Sequence, residues 1–224
     1  MESRSKPYSE KHRSDRKQGL TLPEMMVSLG IMAFVVGGMY SFYMTFYRLG
    51  FVNENKNLIN ADIREVTGEL MNAGRQSNYF VLYESPKYAD RDQQGDRLTD
   101  GNSGDLLVFV YTDQPDGVYN TSMVSRIVGY YRSSDEFNED GLAPVRTFEL
   151  QFDPASAAPL EELLPANLDL LVSRKEVDLA KGLSDGRLFH NFWGRSVMVN
   201  AQIYHGNEAK RITETYNFTI SPRG

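Results

Sequence analysis

Thr21 and Glu24 stand three residues apart at the head of a long apolar run. That is the T-x-x-E spacing of a capping box, in which the threonine caps a helix and the glutamate returns to the Thr21 backbone N–H. Pro23 between them costs little in a first turn, where its missing N–H would have been unpaired anyway. Capping does not exhaust Glu24, because it is the single charge among the 28 residues from Leu20 to Tyr47. An ionised carboxylate at membrane depth is expensive and normally has a counter-ion.

Other chemistry-bearing residues form no comparable pattern. His190 and His205 are the only histidines after His12, and neither sits in an HExxH or HxH arrangement. No GxSxG, GxGxxG or Walker loop is present. His190 reads as a packed or surface histidine, and its neighbours Phe189, Phe192 and Trp193 read most simply as core. An exposed aromatic patch for a partner is the alternative. Asp90, Asp92, Asp96 and Asp100 lie in the loop from Pro86 to Gly104, but their spacing departs from the D-x-[DN]-x-[DN]-G-x5-E calcium loop, so a solvated loop is expected. The chain has no cysteine, which excludes a thiolate nucleophile, a disulfide framework and Cys-ligated zinc or iron–sulfur centres. No catalytic residue, metal site or cofactor is expected.

The elements that must position Glu24 follow from where the charge sits. The formal charge of −6 over 224 residues is a sum of unlike parts. Residues 1–19 carry six basic and three acidic groups, a net of +3, leaving −9 for the remainder. The mean hydropathy of −0.45 likewise averages a polar majority with an apolar segment holding five of the nine methionines. A helix crossing about 30 Å of hydrocarbon needs roughly 20 apolar residues, so 20–47 is long enough to be a transmembrane helix. A secretory signal would have a shorter apolar region followed by small residues, whereas Ser41 to Tyr47 is bulky and aromatic. The basic N-terminal flank puts the N-terminus in the cytoplasm and the rest beyond the membrane, with Tyr40, Tyr43 and Tyr47 at the outer interface.

Beyond the span, Val52, Ile59, Ile63, Val66, Leu70 and Ala73 recur at the one-sided spacing of an amphipathic helix. This stalk over 48–78 is expected to end between Gly74 and Asn78, giving with the span one helix of ~55 residues, about 80 Å at 1.5 Å per residue. Strands are expected at Tyr79 to Tyr83, Asp105 to Thr112, Val124 to Arg132, Val145 to Phe152, Ser196 to Tyr204 and Arg211 to Ile220. His205 to Ala209 is the expected turn of the last pair. A short helix is expected between Asp153 and Leu171, starting near Asp153 or Ser156. The fold class is α+β, with one long N-terminal helix and a mostly antiparallel β head over 79–224.

The string Lys17-Gln18-Gly19-Leu20-Thr21-Leu22-Pro23-Glu24 resembles the prepilin processing site of type IV pilins and of the pseudopilins of type II secretion. It departs from the commonest form at Leu20, where Phe is usual, and at Pro23, where an aliphatic residue is usual; Gly19, Glu24 and their spacing match. The resemblance implies a pilin-like fold, removal of a 1–19 leader by prepilin peptidase between Gly19 and Leu20, and N-methylation of Leu20. It also implies subunit assembly in which Glu24 meets the N-terminal amine of a neighbour. The strand with Ile127-Val128-Gly129-Tyr130-Tyr131 is similar to J-type minor pseudopilins and similar minor pilins. Glu24 itself argues against the K-type tip subunit, which usually lacks this carboxylate.

The expectation is therefore a structural subunit of a type II secretion or type IV pilus filament, not an enzyme. It would be a single-pass inner-membrane protein with a periplasmic head, later filament-associated. Expected partners are prepilin peptidase, other pilins or pseudopilins, the inner-membrane assembly platform and the lipid bilayer; no nucleic acid is expected. Two alternatives stand beside it: a membrane-anchored binding or sensor domain, and a pilin-like component of a DNA-uptake machine.

Overall fold

The computed structural model describes residues 21–113, 123–132, 143–171, 174–179, 186–207 and 210–222. The chain divides into two compact units, Met1–Gly50 and Phe51–Gly224.

A single helix, α1 (Leu22–Gln76), runs through 55 residues and links the units. In the first unit its large apolar side chains, from Leu22 to Leu49, are all exposed. The helix is long and apolar enough to cross a membrane, by length and composition.

In the second unit the helix becomes one-faced. Ile59, Val66, Leu70 and Ala73 are buried, with Ile63 packed alongside, as the stripe requires. Gly74 belongs to that face too. A Cβ placed there would run into Cγ2 of Ile220 and press on the Phe109 ring, so Gly74 permits close docking rather than ending the helix. The end falls at Gln76, where Ser77 closes the last turn with Oγ–H donating to Gly74 C=O at 2.8 Å.

Nine strands are described: β1 (Tyr79–Tyr83), β2 (Ser103–Gly104), β3 (Leu106–Thr112), β4 (Val124–Arg132), β5 (Ala143–Ser156), β6 (Arg174–Leu179), β7 (Phe189–Phe192), β8 (Ser196–Asn207) and β9 (Lys210–Ile220). They form two antiparallel sheets, ordered β1-β3-β4-β5-β6 and β2-β7-β8-β9. β3 reads Leu-Leu-Val-Phe-Val at its start because it is buried on both faces. Leu107, Phe109 and Tyr111 join α1 and the second sheet in one core, while Leu106, Val108 and Val110 face a second core closed by Leu160, Leu164 and Leu168. In β9, Tyr216 and Ile220 are buried and Phe218 is partly so, whereas Thr215, Asn217 and Thr219 are exposed, the alternation of a half-buried strand.

Polar links lock the helix to both sheets. Tyr111 Oη–H donates to Ala73 C=O at 2.8 Å, and Thr67 Oγ1 and Tyr216 Oη lie 3.0 Å apart. Burial pushes the Tyr216 hydroxyl well above its ordinary pKa, so it remains a neutral partner.

Several expectations need correction. β5 continues through Ser156, so the short helix α2 starts at Leu160 (Leu160–Leu163) and not near Asp153 or Ser156. β8 and β9 are longer than expected and pair out to Asn207 and Lys210, leaving only Glu208 and Ala209, outside the described residues, for the turn. β2, β6 and β7 were not expected at all. The 86–104 loop is mostly exposed, as a solvated loop should be, and contains two 3-10 turns, Tyr88–Asp90 and Gln94–Asp96. Arg91 in this loop is fully buried, donating to the carbonyls of Pro86, Pro165 and Ala166.

Candidate functional site

At the head of α1 one half of the capping box is formed, the return of Glu24 to the Thr21 backbone N–H, while the Thr21 hydroxyl bonds the Glu24 carboxylate. Glu24 Oε2 accepts from the Thr21 backbone N–H at 2.8 Å and from Thr21 Oγ1–H at 2.9 Å. The Met25 N–H donates to Thr21 C=O at 3.0 Å, the first bond of the helix ladder. One carboxylate oxygen thus takes two donors, and among the described residues Glu24 Oε1 accepts none. Gly19 and Leu20, the expected cleavage and methylation positions, lie outside the described residues. The apolar side chains that follow, among them Met25, Met26, Leu29 and Met32, are exposed, so protein burial does not account for this surface.

The remaining candidates are dispersed. His190 is half-buried on β7, its Nδ1 lying 2.8 Å from Ser103 Oγ on the neighbouring β2. His205 is in β8, where only its backbone pairing is described, opposite Ile212. Among the described residues no group of three or more His, Cys, Asp or Glu is arranged to hold a metal ion. Two of the loop aspartates have local duties. Asp90 Oδ2 accepts from Ser85 Oγ–H, and Asp96 Oδ2 accepts from the Gln93 N–H at 2.9 Å.

The aromatic cluster splits. Phe189 is core, fully buried, but Phe192 is 51% and Trp193 71% exposed, against the expectation of burial. They stack edge-on at a turn, 6.3 Å between centroids, with Trp193 at φ 58°. A bulky residue in the left-handed region is an outlier, held here by Asn191. Asn191 Oδ1 accepts from the Gly194 N–H at 2.9 Å, and its Nδ2 donates to Leu98 C=O at 3.0 Å. Composition alone gave no sign of this, since Phe189 and Phe192 differ only in which side of a four-residue strand they occupy.

The head's buried charges are structural in geometry. Asp105 accepts from Arg132 and Arg187 and from the Leu188 backbone N–H, tying the start of β3 to the chain leading into β7. Glu161 on α2 accepts from Tyr83 at 2.8 Å and from Arg97 at 2.6 and 2.9 Å.

Fold and site together define a class: an α+β, pilin-like chain whose N-terminal helix is suited to a membrane and whose first turn carries a capped carboxylate. The family model that matches is the prokaryotic N-terminal methylation motif, over residues 14–40, and this match supports a likeness to type IV pilin and pseudopilin precursors. That motif implies processing by prepilin peptidase and assembly with other pilins. No curated protein and no solved structure matches the chain.

Proposed function

We propose that this protein is a minor pilin or pseudopilin, a structural and non-catalytic subunit of a type II secretion or type IV pilus filament. Its leader, 1–19, is cut between Gly19 and Leu20, and the new N-terminus at Leu20 is methylated. The observation that carries this reading is a lone carboxylate, Glu24, placed five residues after Gly19 in the frame of the matched motif. Removing the leader discards a net charge of +3 and creates an ammonium on Leu20. A neighbouring subunit's ammonium is the counter-ion that Glu24 needs in hydrocarbon, and Glu24 Oε1 is the acceptor left for it.

In this reading 20–47 spans the inner membrane with the leader in the cytoplasm, 48–78 is the stalk, and 79–224 is a periplasmic head. Prepilin peptidase, the assembly platform, the bilayer and sibling subunits are the partners. Intact-mass and N-terminal peptide mass spectrometry of the chain from its native membrane tests this. A mature chain starting with methylated Leu20 is expected, and Gly19→Trp should leave the leader attached. An intact Met1-to-Gly19 segment in the wild-type chain would sink the proposal in favour of a membrane-anchored binding domain.

A further inference from the structure

The head carries an open cleft of about 920 Å³. Its walls come from β1, the 94–98 segment, residues 157–160, the 191–195 turn and the Ser221-Pro222 end of the described chain. Two features of it bear on what it could take.

The first is a bare sheet edge. Among the described strands, β1 is the outermost of its sheet and pairs only with β3. In an antiparallel pair, alternate residues of a strand point their N–H and C=O groups toward the partner and the others point away. Leu82 is of the second kind, since its C=O turns from β3 to accept from the Leu98 N–H at 2.8 Å. Phe80, two residues earlier, shares that parity, and its N–H and C=O open toward the cleft. Among the described residues, the Leu98 N–H bonds this edge at Leu82 and no loop backbone bonds it at Phe80. Such an edge is a template for another strand.

The second is charge. Arg97 and Arg195 line the cleft, and among the described lining residues there is no Asp or Glu. Arg97 is held by Glu161 through Nε and Nη2. Arg195 is exposed and makes no ion pair among the described residues. Glu161 already balances Arg97, so in a chain that carries −9 beyond residue 19 the exposed guanidinium of Arg195 is the charge that favours an acidic occupant. Two cations are too few for a nucleic-acid groove, whose affinity rests on many phosphate contacts. Beside the wall residues Asn191 and Gly194, the exposed Phe192 and Trp193 offer aromatic contact to a chain leaving the cleft.

We propose that the cleft takes an extended, acidic segment of a partner protein, which adds to β1 through backbone hydrogen bonds at Phe80 and sets a carboxylate against Arg195. This site operates whether or not the leader is cut, so its test is independent of the processing test above.

The probe is a fluorescein-labelled, end-capped heptapeptide of alternating valine and threonine carrying two glutamates, titrated by anisotropy into the detergent-solubilised full chain. Binding is expected, with slowed amide exchange at Phe80. Methylating the peptide backbone nitrogens on alternate residues, in each of the two registers, keeps the side chains and removes the donors. One register should weaken binding about tenfold, the loss expected for a backbone hydrogen bond and its geometry. Arg195→Glu should weaken the glutamate peptide several-fold and strengthen its lysine counterpart. Equal binding of both methylated peptides would overturn the edge-pairing claim, and indifference to Arg195→Glu would overturn the charge claim. Failure of every peptide at about 1 mM, or preference for a thymidine oligonucleotide of matched charge, would overturn the proposal as a whole.

Discussion

Arg132 and Asp105 form an ion pair buried almost completely, Nη2 to Oδ1 at 2.9 Å with 0% and 2% of their side chains exposed. Desolvation opposes both charges, and the pair persists because Asp105 also accepts from Arg187 and the Leu188 N–H. Asp105→Ala should destabilise the head by about 3–5 kcal/mol, since it strands a buried guanidinium. Adding Arg132→Met should recover most of that loss. Urea titration of the detergent-solubilised chain, followed by Trp193 fluorescence, measures both; a double variant no better than the single one would assign the loss to the orphaned Leu188 N–H instead.

Gly74 and Gly68 lie on the same helix but should respond oppositely to alanine. At Gly74 a Cβ has to displace Ile220 and the Phe109 ring, and overpacking of this kind costs about 1–3 kcal/mol. At Gly68 a Cβ meets open space, so only propensity acts, and Gly68→Ala should gain about 0.5–1 kcal/mol. Thermal midpoints of the two variants check the pair. Equal shifts would mean that α1 does not dock at Gly74.

How much of this could be read from the sequence depended on the range of the interaction. β1 and β4 have the expected bounds because their apolar and β-branched runs signal burial locally, and the stripe from Ile59 to Ala73 marks the docked helix face just as directly. β2 is two residues long and exists only because Ser103 meets His190, a pairing invisible to any local window. β6, Arg-Lys-Glu-Val-Asp-Leu, is an edge strand, where charged residues that mimic a loop are usual. The burial of Arg91 was illegible for a related reason: two of its partners are the carbonyls of Pro165 and Ala166, more than 70 residues away, which no composition reveals. The return of Glu24 to the Thr21 N–H was legible because the two are neighbours on one helical turn, whereas the hydroxyl bonds the carboxylate and not the Glu24 N–H of a full capping box.

Acid should weaken the α2 anchor. Burial alone would raise the Glu161 pKa, but the hydrogen bonds from Arg97, its own backbone N–H and Tyr83 bring it below its ordinary 4.5. A carboxyl with a depressed folded pKa contributes stability that is present above 4.5 and is lost as pH falls through the lower, folded value. Glu161→Gln should therefore trail the wild type at neutral pH and draw level in more acidic solution. Denaturation midpoints across that range decide it; a gap that widened toward low pH would reverse the sign.

Trp193 should be dispensable for stability. A left-handed backbone costs a non-glycine residue about 1–2 kcal/mol, less for asparagine. The ring is mostly exposed, and among the described residues its one ring contact is edge-on with Phe192. Trp193→Asn should leave the thermal midpoint unchanged or raise it by a few degrees. A fall of more than about 2 kcal/mol would mean that the ring packs against the fold.

Thr21→Val and Glu24→Ala separate the cap from the proposed assembly role. Both remove the Thr21 Oγ1–H to Glu24 Oε2 bond, Glu24→Ala removes the bond from the Thr21 N–H as well, and each should weaken the first turn by about 1 kcal/mol. Only Glu24→Ala also removes the carboxylate that is proposed to meet the Leu20 ammonium of a neighbouring subunit. With Gly19 and the apolar run intact, both variants should insert and be processed. Filaments sheared from cells and probed for the subunit should then contain Thr21→Val at close to wild-type level and little Glu24→Ala. Loss of both variants to the same extent would reduce Glu24 to a helix cap, and normal incorporation of Glu24→Ala would remove the counter-ion argument altogether.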